Sequence, residues 1–171
     1  CRMNRKVLSD TTYAKTDVVI LAGGQARRMN GINKLLQKFD NKIQLIKIHQ
    51  HFKSRADQIW VNSHRDHFIY EQIIPSIQFF PDDEAGFQGP LMGMKSAWSH
   101  VQTDYVLFVP CDVTYIPKKV ISRLHQAIQW NPLCEVAVVE VNGKALYPFC
   151  LLKRSSLATI EKHLERNQRS L

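Results

Sequence analysis

Asp17-Val18-Val19-Ile20-Leu21-Ala22-Gly23-Gly24 decides the fold. Five apolar residues run without interruption from Val18 to Ala22, and three of them are β-branched. An unbroken apolar run of that kind suits a strand buried on both faces, as in a parallel sheet, better than an alternating half-exposed one. Gly23-Gly24 ends the strand and allows the backbone to come close to a ligand. Working outward, Leu45, Ile48, Phe52 and Ala56 recur at helical spacing, and Ile59-Trp60-Val61-Asn62 follows as a short strand. Arg65 to Ile73 reads as helix and Ile77 to Phe80 as strand. Gly89-Pro90 opens a helix with Leu91, Met94, Ala97, Trp98 and Val101 on one face, and Tyr105 to Val109 is the next buried strand. Pro117 is expected at the first position of a helix carrying Val120, Ile121, Leu124 and Ile128. Val136 to Val141, Asn142-Gly143 and Ala145 to Leu152 predict a β-hairpin with a type I′ turn, and a last helix is expected from Ser155 to Arg166.

Strands alternating with helices predict an α/β fold: a single Rossmann-like three-layer domain with a mostly parallel sheet and a hairpin near residues 135–152. The first 16 residues are polar and aperiodic and read as an arm, leaving 17–171 as the domain. In open sheets of this class ligands bind outside the carboxyl ends of the strands. Polar residues and glycines gather there: Gly23-Gly24, Asn62-Ser63, Asp82-Asp83-Glu84 and Cys111-Asp112.

The chain has 171 residues, 44% hydrophobic, 22% charged and 9% aromatic, which suits one folded domain with a proper core and not a disordered chain. The formal net charge is +8, of which +3 lies in residues 1–16 and +3 in 153–171. Basic residues form no stripe with interleaved aromatics, so nucleic acid is not the expected partner. The apolar runs are too short for a membrane span or a secretion signal. Four cysteines, Cys1, Cys111, Cys134 and Cys150, form no Cys-x-x-Cys and are too sparse for a disulfide framework, which points to a reducing cytoplasm. His49/His51 and His64/His67 read as surface or partly packed residues, and Cys111, without a histidine partner in the pattern, as a packed thiol and not a nucleophile.

The chemistry sits in Leu21-Ala22-Gly23-Gly24-Gln25-Ala26-Arg27-Arg28-Met29-Asn30-Gly31-Ile32-Asn33-Lys34. Small residues let backbone N–H groups cradle phosphates, and Arg28 and Lys34 add positive charge to the same loop. It is neither Gly-x-Gly-x-x-Gly nor a Walker A loop. Asp112, just past a buried strand and beside this loop, is placed as a hard-cation ligand should be.

The string resembles the phosphate loop of nucleoside-triphosphate-dependent nucleotidyltransferases, and Leu-Ala-Gly-Gly followed by Ala-Arg-Arg-Met looks most like the molybdenum cofactor guanylyltransferases, the MobA-like family. Gly89-Pro90-Leu91-Met92-Gly93-Met94 is similar to the family's Gly-Pro-Leu-Ala-Gly, Pro110-Cys111-Asp112 to its Pro-Cys-Asp, and Tyr147-Pro148 falls where its His-Pro does. The resemblance runs from about Val18 to Leu171. It implies transfer of GMP from GTP to molybdopterin or Mo-molybdopterin with Mg²⁺, releasing pyrophosphate. Contacts with molybdenum cofactor biosynthesis proteins and apo-molybdoenzymes are implied too. By the same resemblance Leu21, Ala22, Gly23 and Gly24 contact the nucleotide through the loop backbone, joined by Asn62 and Asp82. Lys34 and Arg28 neutralise the triphosphate, and Asp112 holds Mg²⁺. The family's aspartate before the lysine is Asn33 here, which removes a charge near the phosphates, and Tyr147 replaces its histidine on the pterin side. The family pattern also continues into a further strand and helix beyond the point where this sequence stops, Leu171. Alternatives are a relative that uses CTP or another phosphorylated acceptor, and a weakly active nucleotide- or pterin-binding relative.

Overall fold

The computed structural model describes residues 13–22, 28–29, 32–84 and 89–166, with the backbone alone at residues 28, 29 and 32. Its centre is β1 (Thr16–Leu21), buried along its whole length. The other strands of the main sheet are β6 (Ile59–Asn62), β7 (Gln78–Phe80), β8 (Tyr105–Pro110), β9 (Val136–Val141) and β10 (Lys144–Lys153). They run in the order β7-β6-β1-β8-β10-β9. The first four are parallel, and β10 is antiparallel to both β8 and β9. Two small ribbons, β2 (Arg28–Met29) with β3 (Ile32–Asn33) and β4 (Lys38–Phe39) with β5 (Lys42–Ile43), lie between β1 and the first helix.

Alternate residues of the central strands serve opposite cores, as the period of two requires. Val18 and Ile20 of β1 join Leu107 and Val109 of β8 on one face. There they pack against α1 (Gln44–Phe52) and α4 (Val120–Trp130) through Leu45, Ile48, Phe52, Ile121, Leu124 and Ile128. Val19 and Leu21 turn to the other face with Val106, Phe108 and Cys150. They meet Leu91, Met94 and Trp98 around α3 (Leu91–Ala97), and Ile160 and Leu164 of α5 (Leu157–Glu165). The three-layer arrangement and the parallel sheet are those expected from the uninterrupted apolar runs.

Element ends differ from the sequence reading for local reasons. Thr16 opens β1, one residue inside the stretch read as the arm, and residues 1–12 lie outside the described set. Helix α2 spans His67–Ile73 and does not reach back to Arg65, because Asp66 at φ 63° is left-handed and ends the helical ladder. Pro117 is not the first residue of α4: its carbonyl accepts from Val120 N–H in a separate turn, and Lys119, at φ −109° and ψ 31°, is the non-helical cap. The helix after Gly89-Pro90 ends at Ala97, although Val101 N–H still bonds Ala97 O at 3.0 Å and keeps Val101 in the core. The last helix begins at Leu157, after a 3-10 turn over Arg154–Ser156. The hairpin is as expected, with Asn142 at φ 51° and Gly143 at φ 77°, both positive as a type I′ turn requires. Cys111, Cys134 and Cys150 are free thiols, and burial pushes the Cys150 thiol up to about 12.

The amino ends of the strands are pinned by His125 of α4. Its Nε2 lies 2.6 Å from Thr16 Oγ1, and because that hydroxyl donates to Ala14 O, the ring is the donor to it. Tyr13 stacks on the imidazole at 5.3 Å and Tyr105 meets it at 4.6 Å. Burial holds the ring at about 4, below its ordinary 6.5. The unfolded chain therefore takes up this proton before the folded one does, and stability falls as the pH is lowered from about 6.5 to about 4. His125 accounts for up to roughly 3 kcal/mol of that loss. Urea denaturation across this range is expected to show the decline, and His125→Gln to flatten it while lowering stability at neutral pH.

Candidate active site

The pairing register sets the site. Leu21 lies opposite Asn62 on one side and Pro110 on the other, and Asn62 lies opposite Phe80. Four parallel strands thus end on one line, and the residues that follow them emerge together at the edge of the sheet. After β1 the chain crosses to β6 and β7 on one side and then returns to β8 on the other. The crevice between the carboxyl ends of β1 and β8 is the topological switch point where α/β sheets hold ligands.

Two pairs of the expected residues meet at this edge. On the β6 side, Asn62 Nδ2 donates to Asp82 Oδ1 at 2.9 Å, and His64 Nε2 lies 3.4 Å from Asp82 Oδ2. Both carboxylate oxygens are thereby oriented, and the Asp82 side chain is only 9% exposed. On the β8 side, Lys34 Nζ stands 3.9 Å from Asp112 Oδ2, and the Asp112 side chain is 60% exposed. Leu21 and Ala22 lie between the pairs, with Ala22 N–H donating to Asn62 O at 2.9 Å. Gly23 and Gly24 lie outside the described residues, as does the Arg28 side chain.

Lys34 is carried by a 3-10 turn over Lys34–Leu36. Leu35 plugs the turn into the core, which leaves Lys34 facing outward. Asn33 caps it: Oδ1 accepts from Leu35 N–H at 3.0 Å, while Nδ2 donates to Asp66 Oδ2 at 2.8 Å and to Tyr70 Oη at 2.6 Å. The departure at position 33 has a physical reason here. An aspartate would set a second carboxylate against Asp66 and lose the Nδ2 donor that bonds Asp66 now.

Three contributors carry no signal in the sequence. The pattern around His64 is that of a surface or partly packed residue, and nothing in the linear sequence ties it to Asp82. Asp66 and Tyr70 carry no motif, and they become partners of Asn33 only through the packing of α2. Gly93, part of the quoted Gly-Pro-Leu segment, gains a reason: a Cβ there would collide with Asn62 Oδ1 and come within 3.0 Å of Leu21 Cδ2. His67, which shares a near-ligand spacing with His64, turns away to Ser63 O and stacks on Phe79 at 4.1 Å.

Beside Asp112 on the β10 side lies a cavity of about 490 Å³, lined by Thr114, Tyr115, Lys144, Leu146 and Tyr147 among others. The register of β10 shifts between Ala145 and Cys150, a stretch that includes Pro148, which has no N–H for the ladder. Tyr147 thus lines the cavity that adjoins Asp112.

Asp112 supplies one accessible carboxylate, and among the described residues no three His, Cys, Asp or Glu side chains gather into a cage. This donor set fits a hard cation completed by phosphates and water better than a closed protein site. With a lysine beside it, the crevice offers positive charge and an oxygen ligand where a polyphosphate would lie.

A lysine against a carboxylate at the switch point of a mostly parallel sheet suits a ligand that carries several phosphates. The chain is a member of the MobA-like NTP transferase family, whose domain profile matches residues 18–171. It is 63% identical over 159 residues to the molybdenum cofactor guanylyltransferase of Acinetobacter baumannii, spanning 93% of this chain and 76% of the relative. The enzyme of the same name from Pasteurella multocida is 36% identical over 90% of this chain and 79% of its own length. The fold is similar to molybdopterin-guanine dinucleotide biosynthesis protein A of Archaeoglobus fulgidus, with TM-score 0.68 and 17% identity over 90% of this chain and 75% of that one. CMP:2-keto-3-deoxy-manno-octonic acid synthetase in complex with CTP shares it at TM-score 0.62, with 17% identity over 87% and 78%.

The Asn33–Asp66 pair is open to a direct check. Asn33→Asp is expected to destabilise the protein by about 1–2 kcal/mol, and Asp66→Asn in the same chain to recover most of it. Asparagine tolerates the left-handed backbone at position 66. Urea denaturation of the four proteins of the cycle reads the coupling.

Proposed function

We propose that this chain is a molybdenum cofactor guanylyltransferase, transferring GMP from GTP to molybdopterin or Mo-molybdopterin with release of pyrophosphate. The observation that carries the reading is the Lys34–Asp112 pair at the carboxyl ends of β1 and β8, opening onto the cavity that contains Tyr147. The names of its relatives supply the substrates.

In this reading GTP lies across the strand ends. Leu21, Ala22, Gly23 and Gly24 hold its base and ribose through the backbone, with Asn62 and Asp82 as oriented polar contacts. Lys34 and Arg28 face the triphosphate. Asp112 would hold a divalent cation, Mg²⁺, which when bound neutralises phosphate charge and orients the α-phosphate. The ammonium of Lys34 is free to leave Asp112 for a phosphate oxygen, because their 3.9 Å separation is an ion pair and not a tight hydrogen bond. The acceptor enters from the cavity side, where Tyr115 and Tyr147 offer aromatic faces to a pterin and Lys144 a cation to its phosphate.

The terminal phosphate oxygen of molybdopterin attacks the α-phosphorus in line, and the bond to the bridging oxygen of pyrophosphate breaks. No covalent enzyme intermediate is required. Cys111 is buried beneath the site and serves the core. Rate acceleration comes from alignment and charge neutralisation. Among the described residues no helix is long and apolar enough to cross a membrane. We place the protein in the cytoplasm, where it would meet cofactor-synthesis proteins and apo-molybdoenzymes.

Titration with GTP, ATP, CTP and UTP, each with Mg²⁺, tests the reading. GTP is expected to bind best, with Asp112→Ala weakening it. Lys34→Ala is expected to lower the rate of molybdopterin-dependent pyrophosphate release by about 100-fold. Preference for CTP would assign a cytidylyl enzyme instead, and failure to bind any nucleotide would overturn the proposal.

A further inference from the structure

Gln44, the first residue of α1, is 1% exposed. Its Nε2 donates to Cys111 O at 3.2 Å and to Val113 O at 2.6 Å, the carbonyls of the residues on either side of Asp112. Both N–H groups of one amide are thereby spent on one short piece of loop. Two acceptors on the same nitrogen also define which end of the amide faces the loop. Oε1 has no hydrogen-bond partner among the described residues. A leucine or methionine would remove the unpartnered Oε1, but it would also take the Nε2 donor from the carbonyls of Cys111 and Val113, so the glutamine serves the loop and not packing alone.

The loop that Gln44 grips is irregular, with Cys111 and Val113 turned into the core. Residues 111–119 join β8 to α4 and belong to no regular element. Val113 N–H reaches Pro110 O at 3.3 Å, and Lys47 Nζ reaches Thr114 O at 3.5 Å. The Asp112 side chain projects into solvent, with Lys34 as its charged neighbour. Below it a second cleft of about 180 Å³ is lined by Gln44, Phe39, Lys47 and Asp112 itself. Without the amide, the carbonyls before and after Asp112 lose these two hydrogen bonds, and the direction of the Asp112 side chain is less firmly set. Magnesium demands near-octahedral geometry at short distance, so a displaced carboxylate is a poor ligand.

We infer that Gln44 is a positioning residue for the transfer reaction: it clamps the peptides before and after Asp112 and so fixes the carboxylate toward the metal. The inference rests on Asp112 being the metal ligand. No sequence motif singles out Gln44; the one signal is an uncharged polar residue immediately before the apolar series Leu45, Ile48 and Phe52.

The test compares wild type, Gln44→Leu, Gln44→Met and Asp112→Asn. Hydrogen–deuterium exchange of the metal-free protein reads the loop, and GTP titration with and without Mn²⁺ reads the metal's contribution. The glutamine variants are expected to exchange faster across residues 111–114 with the rest of α1 unchanged. They should lose about tenfold of the Mn²⁺ enhancement of GTP affinity, while metal-free GTP affinity stays within twofold of wild type. Unchanged exchange, an enhancement equal to wild type, or an equal loss with and without Mn²⁺ would each overturn the clamp. If Gln44→Leu does not fold, Gln44→Met decides. If Asp112→Asn keeps the full enhancement, the metal reading of Asp112 fails, and the role assigned to Gln44 falls with it.

Discussion

The structure depends on the burial of β1 between two parallel neighbours. Every residue from Thr16 to Leu21 is buried, so its backbone groups must be paired, and partners come from β6, β8 and the residues Asp57 and Gln58 just before β6. A slip of one residue would exchange the Val18–Ile20 face for the Val19–Leu21 face and send each set of side chains into the wrong core. Register is therefore strongly specified, and the register is what aligns Phe80, Asn62, Leu21 and Pro110 at one edge. The polar residues beyond those positions share a crevice because a hydrophobic requirement elsewhere leaves them no choice.

The two ends of the sheet are built to different ends. At the amino edge, His125, Thr16, Tyr13 and Tyr105 pack into a dry cluster in which the imidazole stays neutral. At the carboxyl edge, Lys34 on a capped 3-10 turn and Asp112 on an irregular loop stay accessible, while Asp82 is held nearly buried between Asn62 and His64. The first arrangement contributes stability. In the proposed reading the second keeps charge in place for a ligand that carries charge of its own, and it relies on buried neighbours such as Leu35, Gly93 and Gln44 to do so.

Much of this was legible in the residues. The apolar runs 18–22 and 105–109 marked buried parallel strands, and the polar groups directly after them stand together at the carboxyl edge of the sheet. Asn142-Gly143 marked the hairpin turn. Element ends were less legible, because they turn on single backbone conformations: Asp66 in the left-handed region and Lys119 as a non-helical cap. The ribbons β2–β3 and β4–β5 are not legible in the sequence, since strands of two residues carry no periodicity.

The sequence by itself determined the layered α/β class and the gathering of glycines and polar residues directly after the strands, which follow from periodicity and from residue types that stand close together in the chain; the family was carried by the resemblance of the string from Leu21 to Lys34. Only the tertiary structure decided which side chains meet: Asn33 with Asp66 and Tyr70, Asp82 with His64, and Gln44 with the peptides around Asp112. The Gln44 partners are 67 and 69 residues apart along the chain. No local propensity encodes such contacts; they arise when two separate elements are packed onto the same face of one sheet.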